Sequence, residues 1–307
     1  MTAVTADARP GWRARRSAVA AQLPPLSGRQ QMARAALLGV FVLSLTLLLE
    51  MLLASNLQQR AAQQRAYDRF RSELALGTAP TGPTDAGGVP LVPGTPVAYL
   101  EIPSIGLRQV ILEGTSPATL FSGPGHRRDS PFPGQAGAAV VLGRRAAFGG
   151  PFARIQELRP DALIHVTTGQ GEFDYRVIGV RKEGDPVPRP TAAGGGRLLL
   201  ATAAGRQFMP EGVLRVDADL ETDAVGGPAP LVSASGLPAE EEIMGADART
   251  LWALALWLQV LTVLLVAAVW AWHRWGRAES WVVFLPPVLL VGLAVAGEAA
   301  RLMPNLL

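Results

Sequence analysis

The sequence predicts an all-β domain of seven to eight strands with one short helix, held outside a membrane, together with three transmembrane α-helices. Three observations carry that expectation. Seven short apolar or alternating runs follow one another between residues 97 and 220, separated by glycine, proline and aspartate. Runs of this length and punctuation suit strands better than helices, and that number of strands suits a sandwich or closed barrel. Three further stretches each approach the ~20 apolar residues that cross a ~30 Å hydrocarbon core. Finally, 49% of the 307 residues are hydrophobic, which is high for a soluble protein.

In chain order, residues 1–34 form a basic segment, with Arg9, Arg13, Arg15, Arg16, Arg29 and Arg34 against the single Asp7. Residues 35–55 read as the first membrane helix. A signal peptide is the alternative, but the apolar run exceeds the usual signal length and continues into "LLASNLQQRAAQQRAYDRF", so an uncleaved anchor is favoured. Residues 56–96 read as a helical stalk followed by a Pro/Gly/Thr linker, "LGTAPTGPTDAGGVPLVPGTP".

The folded domain spans residues 97–220. Its strand candidates are "VAYLEI", "QVILEG", "AAVVLG", "ALIHVTT", "FDYRVIGV", "RLLLATA" and "VLRVDADL". The short helix is expected at "GGPFARIQEL", where Phe152, Ile155 and Leu158 fall three apart. A second linker occupies residues 221–249. Residues 250–272 and 281–300 read as the second and third spans, joined by a loop over 273–280, with a tail at 301–307. Pro286 and Pro287 interrupt the third span, which favours a kinked helix over a re-entrant loop.

Charge sets the expected orientation. Arginine-rich short segments stay cytoplasmic, so the N-terminus and the loop carrying Arg274 and Arg277 are expected inside, and the barrel and tail outside. Trp252, Trp257, Trp270, Trp272, Trp275 and Trp281 flank the last two spans as interfacial anchors would. Glu50, Gln259 and Glu298 suggest an ion path only weakly, because Glu50 and Glu298 lie near span ends where they reach water.

Composition excludes several chemistries. The chain has no cysteine, hence no disulfide, thiolate metal site or thiol nucleophile. Three scattered histidines, His126, His165 and His273, argue against a histidine metal site, and no cofactor is expected. The net charge of +3 is explained by arginine at membrane boundaries, so nucleic acid is not an expected partner.

The ordered elements "EIPSIGL" (Glu101–Leu107), "EGTSPATLFSGPGH" (Glu113–His126), Pro133–Gly134 and "GGPFARIQELRPDALI" resemble a sortase domain of the actinobacterial, class E kind. That resemblance covers about 120 residues, implies a closed β-barrel, and suggests a high-GC Gram-positive source. It also implies a membrane-anchored transpeptidase that cuts a sorting-signal peptide and joins it to a cell-surface amine. The family's chemistry needs a cysteine nucleophile, a histidine proton donor and an arginine at the oxyanion or substrate.

Carried over residue by residue, the histidine of the family's "GHR" motif falls on Arg144, within Gly143-Arg144-Arg145. The nucleophile falls on Ala203, closing "LLLATA", and the arginine falls on Val213, with Arg215 on the same strand face as a partial substitute. An arginine does not exchange protons near neutral pH, and alanine has no nucleophilic atom. The expectation is a membrane-anchored pseudo-enzyme that binds or scaffolds a cell-surface peptide or protein, such as an active sortase or its substrate. Candidate groove residues are Arg144, Thr202, Arg215 and His126. For His126 a structural loop role is the simpler reading. Two alternatives stay open: a divergent, cysteine-independent sortase, and a structural cap on a three-helix membrane assembly. The arginine makes an acidic or carboxylate-bearing ligand the expected kind.

Overall fold

The computed structural model describes residues 27–49, 55–206 and 208–307. The basic segment up to residue 26, and residues 50–54 at the end of the first expected span, lie outside the described residues, Glu50 among them. Contacts divide the chain at Ser44, and Leu45–Leu307 form one compact unit.

Helix α1 spans Gly28–Leu49. Helix α2 spans Ser55–Leu76, where a helical stalk was expected, but it docks on the barrel. Its inward residues Ser55, Gln59 and Phe70 recur at helical spacing, and the helix packs along the first two strands. The reason is polar as much as apolar: Gln63 pairs with strand backbone as another strand would. Its Oε1 accepts from the Val110 N–H at 2.7 Å, and its Nε2 donates to the Val110 and Ser122 carbonyls at 3.1 and 2.9 Å.

The strands are β1 (Pro96–Ile102), β2 (Leu107–Glu113), β3 (Gly125–His126), β4 (Gly137–Leu142), β5 (Leu163–Thr168), β6 (Gly171–Arg181), β7 (Gly196–Arg206) and β8 (Met209–Leu220). They close into a barrel in the order β1-β2-β3-β4-β7-β8-β6-β5. All seven expected strands are present. The eighth, β3, is two residues long and carries no period that a sequence reading detects. A four-residue helix, α3, spans Pro117–Leu120 and is capped by Ser116, whose hydroxyl accepts from the Thr119 N–H at 3.3 Å.

Alternation sorts the strand residues into two faces. Leu100, Ile102, Ile164, Val166, Phe173, Tyr175, Val177, Leu198, Leu200, Leu214, Val216 and Ala218 fill the interior. Tyr175, fully buried, places its hydroxyl to accept from the Gly134 N–H at 2.6 Å, and burial pushes its pKa up to about 12. Gly134 has φ +91°, and a Cβ there would overlap the Phe173 ring, so the Pro-Gly turn tolerates no side chain.

Two further expectations are corrected. "GGPFARIQEL" forms only a 3₁₀ turn at Ile155–Glu157, because glycine and proline leave too few residues for a helical nucleus. The two linkers are not free: Leu91, Val225 and Leu237 are at least partly buried, and Arg128 forms a two-bonded ion pair with Glu241 at 2.8 and 2.6 Å.

Helices α4 (Leu251–Trp275) and α5 (Arg277–Arg301) form a hairpin turning at Gly276. Segments Ala248–Trp272 and Glu279–Arg301 are long and apolar enough to cross a membrane. The expected loop over 273–280 therefore shrinks to a turn, and α5 continues through Pro286 and Pro287. Residues 302–307 do not form a free tail: Asn305, Leu306 and Leu307 are buried.

Candidate peptide cleft

The outer faces of β4, β7 and β8 are normally the solvent side of a barrel, yet here they are covered. Leu142 pairs with Ala201, and Ala203 pairs with Val213 across the β7–β8 ladder. Their outward side chains join Leu120 of α3 in a second apolar cluster, separate from the barrel interior. Immediately after Ala203 the ladder is irregular, with Gly205 at φ +94°; such bulges re-aim strand ends beside functional sites. Leu306 and Leu307 complete the cluster, with Ile243 and Met244 at its border.

Arg144 stands at the end of this floor. The preceding Gly143 leaves no room for a Cβ, which would sit 2.4 Å from the Phe152 ring, so the chain passes tightly here before turning outward. The Arg144 side chain is wholly buried. Its guanidinium carbon lies 4.6 Å from the centroid of Phe121 and 5.2 Å from that of Phe148, two rings stacked at 3.9 Å. Phe148 reaches this place from a left-handed backbone, φ +51°, a strained conformation for a bulky residue.

Nη1 of Arg144 donates to the Leu307 main-chain oxygen at 2.7 Å, while Nε and Nη2 are buried without partners. Burial pushes the Arg144 pKa down to about 9. Arg145 adds two contacts at the same end: its N–H donates to the Leu306 carbonyl at 3.0 Å, and its Nη1 donates to the Ala203 carbonyl at 3.1 Å.

Of the other residues singled out in the sequence, only Arg215 borders this cluster. Thr202 is buried and its hydroxyl donates to the Gly143 carbonyl at 2.8 Å, so it braces β4 against β7 rather than facing the cleft. Arg215 is half-buried opposite Ala201. His126 is buried on β3, outside the apolar cluster. Its Nδ1 lies 2.8 Å from a Glu113 carboxylate oxygen, and its Nε2 lies 3.0 Å from the Pro131 carbonyl and 3.2 Å from the Ser130 hydroxyl. His165 pairs with Asp174 at 2.5 Å on a partly exposed strand face. Among the described residues, no three His, Asp or Glu side chains form a group fit for a metal ion.

Beneath residues 305–307 the site therefore holds two guanidinium nitrogens without partners and a row of buried methyl and isobutyl groups around Ala203. That chemistry suits gripping peptide carbonyls or a carboxylate next to aliphatic side chains. Sequence reading missed Phe121, Phe148, Arg145 and the 305–307 segment. The one available signal was the uncharged, leucine-rich stretch after Arg301, which a water-exposed tail has no need of.

Residues 100–202 match the family model described as a sortase domain. Sortase D of Bacillus subtilis (strain 168) is 34% identical over 85 residues, which cover 28% of this chain and 41% of that protein. The chain thus spans about two fifths of the curated relative it matches. Among solved structures, sortase E from Streptomyces avermitilis is 29% identical with a TM-score of 0.36, covering 43% of this chain and 91% of that one. A Clostridium perfringens sortase D5 transpeptidase is 19% identical with a TM-score of 0.42, covering 53% and 99%.

Proposed function

This chain carries a sortase-family domain, and from that premise we propose that it works as a membrane-anchored, non-catalytic peptide-binding protein. The observation that carries the reading is the pairing of Ala203 with a buried, proton-retaining Arg144 where the family resemblance calls for a nucleophile and its acid. A thiolate and an imidazole have no equivalent there, and the nearest hydroxyl, Thr202, is engaged with Gly143. The groove of the barrel outlasts the loss of reactive groups, because core pattern sets the fold and grafted side chains set the chemistry. The bound partner is a cell-surface peptide or protein, of the kind an active sortase or its substrate presents.

The proposed topology has three spans: residues 35–55 together with the α4 and α5 segments. The barrel lies outside, and the N-terminus and the α4–α5 turn lie inside, as the arginine distribution favours.

The test is turnover. The full chain in lipid nanodiscs is incubated with fluorogenic sorting-signal peptides and an amine acceptor, and no cleaved or joined product is expected. Cleavage by the unmodified chain that Thr202→Ala abolishes would establish the divergent-sortase reading in its place.

A further inference from the structure

Residues 302–307 lie across the cleft in a manner no connecting segment requires. Asn305 is fully buried, and three bonds hold it: its N–H donates to the Gly245 carbonyl at 2.8 Å, and its Nδ2 donates to the Thr115 and Glu242 carbonyls at 2.9 and 2.8 Å. The Leu306 and Leu307 oxygens take the Arg145 N–H and Arg144 Nη1. The two isobutyl groups pack on Leu120, Leu142, Ala201, Ala203 and Val213. The main-chain contacts are ones any peptide can make. Selectivity therefore rests on one asparagine and two leucines.

Against this fit stand three buried atoms without partners: Arg144 Nε and Nη2, and Asn305 Oδ1. Permanent core contacts satisfy nearly all their buried polar groups, since each orphan costs stability. A segment that leaves unsatisfied both its own Asn305 and the Arg144 it contacts is poised to be exchanged for a better fit. Anchoring through the α4–α5 hairpin keeps the segment at high local concentration, so it fills the cleft by default.

Building on the peptide-binding reading above, we propose that residues 302–307 are a resident ligand of the cleft, held in cis. The ligand in trans is a peptide of the same chemistry, an asparagine followed by two large aliphatic residues, which enters when the resident segment leaves.

Because the chain has no cysteine, Ala203→Cys supplies a single reporter in the floor of the cleft. In the full chain in nanodiscs, its reaction with a maleimide is expected to be slow. Asn305→Ala or Leu306→Asp should speed it about tenfold or more, the effect of losing one or two good contacts. A synthetic hexapeptide of the 302–307 sequence should slow it again. A cysteine at Ala139, inside the barrel, must stay unreactive throughout; if Leu306→Asp exposes it by unfolding, the milder Asn305→Ala decides.

Equal labelling with intact and altered segments overturns the resident ligand. If the hexapeptide still protects in that case, the peptide-binding reading stands without it. A cleft that opens but is not protected by the hexapeptide overturns the assigned ligand chemistry.

Discussion

At position 144 the fold accepts a buried guanidinium with two unpartnered N–H groups, and its energetic sign is open to measurement. Its folded pKa is lowered to about 9, well below the ordinary guanidinium range, so the unfolded chain holds this proton more tightly. Stability contributed through this group therefore rises as pH climbs from about 9 toward the ordinary arginine range, and the cost of burying the charge is full below that window. Arg144→Met keeps the volume and the ring contacts but removes the charge. It is expected to be more stable than the parent near neutral pH by about 1–4 kcal/mol, as for other buried charges replaced by apolar groups. The difference between the two denaturation midpoints should narrow as pH passes about 9. Loss of a buried hydrogen-bonding partner is costlier: His126→Ala leaves Glu113 Oε2 without its contact and should lower stability by about 1–3 kcal/mol in urea unfolding.

The most informative element is α2, a helix joined to the barrel by glutamines as well as by Phe70. The Gln63 side chain occupies both the N–H and the carbonyl of Val110. Gln63→Ala should therefore lower stability by about 1–3 kcal/mol, the cost of leaving buried backbone groups unsatisfied. Hydrogen exchange provides the check: the Val110 amide should lose protection first, while the β7–β8 ladder keeps its own. A uniform loss across the barrel would mean that α2 is part of its folding unit rather than a docked addition.

For the molecule as a whole, the α4–α5 hairpin returns the chain to the barrel it left. The 302–307 segment reaches the β7 face, and the two crossings proposed for α4 and α5 leave both ends of the hairpin on the barrel's side. Single cysteines at Gln170 on the barrel and Glu279 near the hairpin turn test this in intact cells. An impermeant maleimide is expected to label Gln170→Cys and not Glu279→Cys. Labelling of both, or of Glu279→Cys alone, would remove the proposed orientation.

Much of the molecule was legible in the residue order because two short-range signals carry it. Strand alternation from Val97 to Leu220 marked seven of the eight strands, and apolar runs of membrane length marked α4 and α5. The absence of cysteine, read directly, removed thiol chemistry from the chain. Nothing local marks β3, whose two residues are strand only because β2 and β4 bracket them, or the docking of α2, a helix the sequence did mark but whose glutamines find strand backbone across the fold. The cleft is the clearest case of what sequence order does not contain. Arg144 was visible, but its burial depends on Phe121, Phe148 and Leu307, brought together from separate parts of the chain. An arginine in a sequence reads as a surface charge. Only closure of the barrel and return of the hairpin turn it into a buried cation, because desolvation is a property of what surrounds a group in space and not of its neighbours along the chain.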